Sequence, residues 1–271
     1  MSDIAYQAVD YRLNELNHEY GPGVHIVSDP FALTRLARLC SPETIQPEVG
    51  RLVRELYEDL IKTVVNAEFP RKLGRVPSRM IQYTNRGYYE GVLVDPDTEV
   101  TTVDIARAGM IPSQTCFDAL CGLLSPGHVR QDHLIMSRIT DAGDKVTGAG
   151  IGGAKLAGPI DGRIVLFPDP MGATGSSLST AIRFYKEQVE GTPRKLIAIN
   201  LIVTPEFIQC LGADHPDVVL YAYRLDRGLS SEAVLRTVPG TRVGEERGLT
   251  DTQYIVPGGG GFGEILNNAL V

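Results

Sequence analysis

Apolar side chains recur at helical spacing between residues 49 and 65. The apolar positions are Val49, Leu52, Val53, Leu56, Tyr57, Leu60, Ile61, Val64 and Val65. This spacing predicts an amphipathic helix of about four turns or more, whose charged residues lie on the opposite face. We expect its apolar face to pack in the core or against a second subunit, and we assign the helix no chemistry.

The segment before this helix predicts a short strand and a second helix. Residues 25–27 are typical of a strand, and Asp29 followed by Pro30 predicts a helix start that continues through residues 31–39. We therefore expect residues 1–95 to form a mostly helical N-terminal layer.

Beyond residue 95, short apolar runs alternate with helical stretches. The predicted strands are residues 101–105, 133–139, 164–167, 196–203 and 218–223, and the predicted helices lie near 112–123 and begin at Ser176 and Pro205. Such alternation predicts an α/β fold with a mainly parallel sheet and helices on its faces. The glycine-rich stretch 140–162 is expected to be mobile when no ligand is bound.

Residues 164–177 combine an apolar strand, the acid Asp169 and a loop of small residues that opens a helix. Glycine, serine and threonine let backbone N–H groups converge on phosphate oxygens at a helix N-terminus. Asp169, at the carboxyl end of its strand, is placed to hold ribose hydroxyls or a hydrated magnesium ion. The loop lacks the Gly-Lys-Ser/Thr of nucleoside triphosphate loops and the G-x-G-x-x-G of dinucleotide folds. The alternative is an ordinary turn with Ser176 or Ser177 as the N-cap.

Composition limits the classes of function. The chain has 271 residues, 43% hydrophobic content and a net charge of -7, which favours one α/β domain with appendages and argues against a nucleic-acid surface. We find no apolar run of membrane-spanning length and no signal sequence, so we expect a soluble, cytoplasmic protein. Four scattered cysteines favour neither a zinc site nor a disulfide framework.

Four motifs in the same order resemble the uracil phosphoribosyltransferases. They are Val-Asp-Ile-Ala-Arg-Ala-Gly-Met at 103–110, Asp-Pro-Met-Gly-Ala-Thr-Gly-Ser-Ser at 169–177, His-Pro-Asp-Val at 215–218 with Asp-Arg-Gly-Leu at 226–229, and Tyr-Ile-Val-Pro-Gly at 254–258. The resemblance implies a single domain of the phosphoribosyltransferase type. It divides into the N-terminal helical layer 1–95, a core 96–225 that binds phosphoribosyl diphosphate (PRPP), and a base-binding hood 226–271.

The resemblance implies transfer of the phosphoribosyl group of PRPP to uracil, which gives UMP and pyrophosphate. It also implies Mg²⁺ bound with PRPP and a homodimer or higher homo-oligomer. GTP is a candidate effector because it activates some relatives, but the sequence leaves such activation open. The long helix at 49–65 is consistent with a dimer.

The resemblance also implies the site residues. Arg107 and Arg138 would contact the phosphates, and Asp169 would hold the ribose hydroxyls. The implied PRPP loop is Pro170, Met171, Gly172, Ala173, Thr174, Gly175, Ser176 and Ser177. The implied uracil contacts are Tyr254, Ile255, Gly260, Gly261 and Phe262. Lys155 matches a residue of the family's arm or is a surface lysine. Because positioning and electrostatics suffice for this transfer, Ser176 and Cys116 are not assigned as nucleophiles.

The sequence departs from the family after Pro257. The family continues Gly-Leu-Gly-Asp-Ala-Gly-Asp, whereas this chain has Gly-Gly-Gly-Gly-Phe-Gly-Glu. Gly261 therefore replaces an acid that contacts PRPP in the family, and we expect Glu264 to substitute for it only if the backbone shifts. The departure leaves three readings open: an active enzyme, an enzyme for another base, or a degenerate regulator that binds PRPP or a nucleotide.

Residues 230–248 look inserted before the hood. The segment is expected to be surface decoration or a subunit contact, and an effector site is the third reading.

Overall fold

The computed structural model describes residues 3–140 and 146–269, and the side chains of residues 137–149 lie outside the description. The helices are α1 (Pro30–Leu39), α2 (Glu48–Glu68), α3 (Met110–Cys121), α4 (Ser176–Gln188), α5 (Pro205–Asp214), α6 (Glu232–Leu235) and α7 (Phe262–Ile265). The strands are β1 (Val24–Ile26), β2 (Arg71–Pro77), β3 (Tyr88–Val94), β4 (Val100–Ala106), β5 (Val129–Thr140), β6 (Val146–Lys155), β7 (Ile164–Pro168), β8 (Met171–Gly172), β9 (Lys195–Val203) and β10 (Val218–Leu225).

The central sheet is mainly parallel, which confirms the predicted fold class. Its strand order is β1-β10-β9-β7-β4-β5-β6, and the short β8 also pairs with β9. Only the β5–β6 pair is antiparallel among these described pairings. The predicted strands and helices beyond residue 95 all recur, with boundaries that move by a few residues.

Helix α2 buries every apolar position that the spacing predicted. Its face packs in one hydrophobic cluster with strands of the sheet and with α1. Asp29 caps α1 as expected, since its carboxylate accepts hydrogen bonds from the backbone N–H groups of Phe31 (2.9 Å) and Ala32 (3.1 Å). Because the chain's own core covers this face of α2, the face is not a free surface for a second subunit.

The N-terminal layer contains a β-hairpin that the sequence interpretation omitted. Strands β2 and β3 pair antiparallel from Arg71 opposite Val94 to Pro77 opposite Tyr88. Most side chains of the hairpin are exposed, on both of its faces. Without one buried face, the chain has no period of two in its hydrophobic residues, and the usual signal of a strand is absent.

The glycine-rich stretch forms β6, which extends the edge of the sheet as a ribbon with β5. Lys155 lies at the end of β6, opposite His133. The expected mobility of this stretch stays a prediction, and residues 141–145 lie outside the described residues.

The inserted segment 230–248 is fastened to the body of the protein through Glu246. This buried carboxylate accepts hydrogen bonds from the Arg227 guanidinium (2.8 Å), from the backbone N–H of Gly240 (2.9 Å) and from the Tyr20 hydroxyl. A buried charge of this kind needs such partners, because an unpaired carboxylate would be costly. Within the described part of the chain, no helix combines the length and apolarity of a membrane span.

Candidate active site

Parallel pairing brings two candidate loops to one edge of the sheet. Strands β4 and β7 are neighbours, so the loop that carries Arg107 and the loop that starts at Asp169 both leave from carboxyl ends at this edge. Gly109 allows their close approach, because a Cβ at this position would lie 3.1 Å from the carbonyl oxygen of Pro168 and 2.8 Å from that of Ile105.

Asp169 lies directly after β7, and hydrogen bonds of its backbone N–H and carbonyl fix its position. Its N–H donates to the carbonyl of Ile199 (3.0 Å), and its carbonyl accepts from the Asn200 side-chain amide (2.6 Å). Its carboxylate accepts one hydrogen bond, from the N–H of Met171 at 3.0 Å. Burial raises the pKa of this carboxyl group to about 6, against the lowering effect of that hydrogen bond.

The loop after Asp169 leads into α4 without a side-chain cap. Gly175 is the N-cap, in the left-handed conformation at φ 85°, so the alternative with Ser176 or Ser177 as the N-cap is wrong. A Cβ at Gly175 would meet the side chain of Cys210 at 2.9 Å. The first N–H groups of a helix have no carbonyl partner within it, and they attract anions.

A small cavity of about 100 Å³ lies against this helix start. Its lining residues are Asp169, Met171, Ala173, Thr174, Gly175, Ser177, Leu178, Asn200 and Phe207. The cavity therefore joins the predicted ribose-binding acid with most of the predicted phosphate loop. Thr174 and Ser176 hydroxyls lie 3.0 Å apart at its rim.

Arg107 lies in the loop after β4, with half of its side chain (51%) exposed. Its guanidinium donates to the carboxylate of Glu264 at 3.1 Å. This contact joins the β4 loop to the C-terminal hood across the edge of the sheet.

The glycine loop of the hood, residues 258–261, is clamped to the end of β10 by the buried Asp226 and the partly exposed Arg224. Asp226 accepts two hydrogen bonds from Arg224, at 2.6 and 2.8 Å, and a third from the N–H of Gly258 at 2.7 Å. Arg224 also donates to the carbonyl of Gly258 at 3.0 Å. Because both backbone groups of Gly258 are bound, the loop leaves β10 in a fixed position.

A cavity of about 640 Å³ lies between the hood and the segment after α1. The hood contributes Pro257, Gly258, Gly259, Gly260, Glu264, Ile265, Asn268 and Ala269, and residues 39–46 form the other wall. The phosphate loop approaches this cavity, since a Cβ at Gly259 would lie 3.5 Å from the terminal methyl group of Met171.

Comparison with known proteins decides the family. A family model described as uracil phosphoribosyltransferase matches residues 26–245. The chain belongs to the uracil phosphoribosyltransferase family. The match includes both loops at the edge of the sheet and ends before the Tyr-Ile-Val-Pro-Gly segment of the hood.

Named relatives of the family match about a third of this chain. Uracil phosphoribosyltransferases from Caldanaerobacter subterraneus subsp. tengcongensis and from a Thermoanaerobacter species are 40% and 38% identical to it over 86 residues. That segment is 32% of this chain and spans 39% of the length of each relative. The structure of the AQ2163 protein from Aquifex aeolicus has a TM-score of 0.67 at 20% identity, and the match covers 92% of this chain and 99% of that one.

Other family positions either do not line the two cavities or have side chains outside the description. The side chain of Arg138, on β5, lies outside the described residues, and Lys155 is exposed on β6. Tyr254 is half exposed, and Ile255 packs against the core. The ring of Phe262 is 3% exposed within the main core cluster, and its contact with uracil stays a prediction.

Glu264 lies beside position 261. The structure places a Glu264 carboxylate oxygen 2.6 Å from the point that a Cβ of residue 261 would occupy. The side chain reaches back across one turn of α7, and its replacement of the family's acid at 261 stays a prediction.

Two supporting residues were missed by the sequence interpretation. Asn200 is fully buried on β9 and holds the carbonyl of Asp169, and Arg224 holds the glycine loop. A buried asparagine within an apolar strand was the available signal for Asn200. The Asp226 segment had been noted as a family motif, but its pairing with Arg224 depends on the turn at the end of β10.

Two chemical alternatives have no support among the described residues. No group of three or more His, Cys, Asp or Glu side chains there is arranged to hold a metal ion. Cys116 is fully buried, and desolvation raises the pKa of its thiol, which disfavours the thiolate. Its assignment as a packing residue, and not as a nucleophile, agrees with this environment.

Gly175→Ala tests the tight packing of the phosphate loop, with Gly127→Ala as the matched control. Both glycines have left-handed φ angles (85° and 83°), but a Cβ at Gly127 has no heavy atom within 4 Å. We expect the control to lower the free energy of unfolding by about 1 kcal/mol through backbone strain. Gly175→Ala should cost about 1–3 kcal/mol more, since the methyl group overpacks against Cys210. Equal losses in urea unfolding would contradict the packing.

Asp169→Asn should separate activity from stability. Folding raises the pKa of this acid from 3.8 to about 6, so the native state binds the proton more tightly than the unfolded state does. The wild type therefore loses stability as the pH rises from about 4 to 6, and the variant should become relatively more stable by up to about 3 kcal/mol above pH 6. Turnover should fall at least roughly 100-fold.

Urea unfolding between pH 4 and 8 measures the stability change, and Asp251→Asn is the exposed control. The control should change neither stability nor turnover. A large loss of stability in Asp169→Asn together with normal turnover would refute the assignment of this residue to the site.

Proposed function

We propose that this protein transfers the phosphoribosyl group of PRPP to uracil and releases pyrophosphate. The observation that carries the proposal is the meeting of the phosphate loop with the glycine loop of the hood, at Met171 and Gly259. The proposal thus places a sugar phosphate and a base side by side, as a transfer between them requires.

The 5-phosphate of PRPP would bind the loop from Ala173 to Ser177. Its backbone N–H groups and hydroxyls suit phosphate oxygens, and the N-terminus of α4 adds partial positive charge. Asp169 would accept hydrogen bonds from the ribose hydroxyls. Arg107 would contact the diphosphate, because a planar guanidinium binds two phosphate oxygens at once.

Uracil would bind the backbone of the glycine loop. Uracil offers two carbonyl acceptors and an N–H donor, which fixed amides and carbonyls can match edge to edge. The clamp by Asp226 and Arg224 on Gly258 supports this assignment, since recognition through a backbone needs a loop that is held in place. Cytosine reverses one donor and its neighbouring acceptor, so such a loop would reject it.

The chemistry would depend on positioning and charge and not on a nucleophile. The C1 carbon loses pyrophosphate and takes up positive character while a ring nitrogen of the base attacks from the opposite face. Mg²⁺ bound with PRPP would neutralise part of the diphosphate charge. Asp169 fits a hydrated ion or the ribose, because its carboxylate borders the small cavity and accepts one described hydrogen bond.

Gly261 motivates a second candidate function. The side chain that contacts PRPP in the family is absent from this position, which favours either another base as acceptor or a regulator that binds PRPP or a nucleotide without turnover. Both candidates keep the phosphate loop and change only the hood.

We also propose a cytoplasmic homodimer or higher homo-oligomer, with GTP as a candidate effector because it activates some relatives. The hairpin β2–β3 supports a contact between copies. It exposes Leu73, Val76, Met80, Tyr83, Tyr88 and Tyr89, and residues 71–94 contain five Lys or Arg and one acidic residue in a chain of net charge -7. An apolar, basic hairpin on an acidic protein is complementary to a second copy.

Pyrophosphate release tests the function. Purified protein with PRPP, Mg²⁺ and uracil should release pyrophosphate, and a mixture without uracil should not. Cytosine, xanthine and hypoxanthine should give little release, and added GTP should raise the uracil rate. Release with one of those bases in place of uracil supports a different acceptor, while PRPP binding without release for any base supports the regulator.

Sedimentation tests the contact between copies. We expect a dimer or larger species that dissociates in Leu73→Asp/Tyr83→Asp, because charges on the exposed hairpin oppose burial of its apolar side chains. Ile45→Asp is the control, since this side chain is also exposed but lies outside the hairpin. A monomeric wild type, or an assembly that survives the double substitution, would exclude the hairpin as the interface.

A further inference from the structure

We propose that Glu264 is the positioning acid of this cleft, and that glycine at 261 is the condition that lets it act. The proposal deepens the transfer reaction and rests on that proposed function. The family motif also carries an acid at 264, so the proposal concerns its role here: with glycine at 261, Glu264 is the acid of this loop that contacts Arg107.

The first observation is the contact with Arg107. A Glu264 carboxylate oxygen accepts from the guanidinium at 3.1 Å, and the side chains are 28% and 51% exposed. The pair lies between the loop after β4 and the wall of the larger cavity, to which Glu264 contributes. It thus connects the predicted pyrophosphate contact with the predicted base loop.

The second observation is steric. A Cβ at residue 261 would lie 2.6 Å from the other Glu264 carboxylate oxygen, which is shorter than a normal nonbonded carbon–oxygen contact. At the start of α7 the backbone N–H of Glu264 donates to the carbonyl of Gly261 at 3.1 Å. An acid at 261 would therefore displace the Glu264 carboxylate from its observed position.

At Gly259, as at Gly261, a side chain from α7 occupies the space that a larger residue would need. A Cβ at Gly259 would lie 2.8 Å from the ring of Phe262, so the leucine that the family carries at 259 would compete with this ring. At both positions this chain has glycine where the family has a side chain. Phe262 occupies the space beside Gly259, and Glu264 occupies the space beside Gly261. Side chains of α7 therefore fill the volume that the glycine run leaves open.

Glu264 would act through Arg107. A long, half-exposed arginine has many rotamers, and one charge-assisted hydrogen bond orients its planar group. A guanidinium has five N–H donors, so one donor can face Glu264 while others bind the diphosphate. The negative charge of Glu264 also opposes diphosphate binding in the ground state. Removal of that charge should therefore lower kcat without raising the KM for PRPP.

A swap of the two positions tests the proposal. The variants are Glu264→Gln, Glu264→Ala, Gly261→Asp and the double variant Gly261→Asp/Glu264→Ala. Glu232→Gln is the matched control, since Glu232 pairs with Arg236 on the exposed surface of α6. We expect kcat to fall at least tenfold in both Glu264 variants, with an unchanged or lower KM for PRPP and a melting temperature like that of the control.

The double variant gives the sharper result. Gly261→Asp alone should be impaired, because its side chain collides with Glu264 and places two carboxylates together. The double variant should be at least threefold more active than either Gly261→Asp or Glu264→Ala, since one acid then stands beside Arg107 again. The proposal would be overturned if the double variant were no more active than the better of the two single variants. A Glu264→Gln enzyme with wild-type kcat would overturn it too.

Binding of inorganic pyrophosphate separates this proposal from the transfer reaction. If the wild type releases no pyrophosphate with any base, the proposed function fails, and calorimetry still tests the pair. Pyrophosphate should then bind several-fold more tightly to Glu264→Gln than to the wild type, and Arg107→Ala should abolish this difference. Equal affinities in the wild type and Glu264→Gln would refute the contact between Glu264 and the anion-binding arginine.

Discussion

The parallel pairing of β4, β7 and β9 is the constraint on which the rest of the site depends. Because these strands run in one direction, their carboxyl ends lie together, and every loop that leaves them faces the same region. Arg107 and Asp169 are 62 positions apart in the sequence, yet this pairing makes them neighbours across one edge. The fully buried apolar strands fix the frame, and the polar loops can then vary without loss of the sheet.

The elements that bury at least one face were predictable from the sequence, and the hairpin, which exposes side chains on both faces, was not. Helix α2 and the core strands bury regular sets of apolar side chains, so the spacing of apolar residues in the sequence shows which side chains form the core. The hairpin β2–β3 exposes side chains on both faces, so its sequence shows no alternation of apolar and polar residues. The strand, loop and helix at residues 164–188 were predictable for another reason, since their apolar run, small residues and helical pattern are local in sequence.

The hood could be predicted only in outline. Its Tyr-Ile-Val-Pro-Gly motif marks the segment, but the positions of Glu264 and Phe262 depend on where α7 begins. The sequence shows four successive glycines, and the structure shows which side chains fill the space above two of them. The roles of Asn200 and Arg224 likewise depend on contacts between distant segments, which a single sequence does not contain.

The Asp226 and Arg224 clamp has a consequence for how such a protein can change. The loop after β7 is attached to β7 and β9, whereas the glycine loop is hydrogen-bonded through Gly258 to Arg224 and Asp226 at the end of β10. The two sides of the cleft are therefore held by different strands. Substitutions in the hood can be accommodated while the loop after β7 keeps its geometry. In evolutionary terms, the clamp makes the hood an exchangeable module.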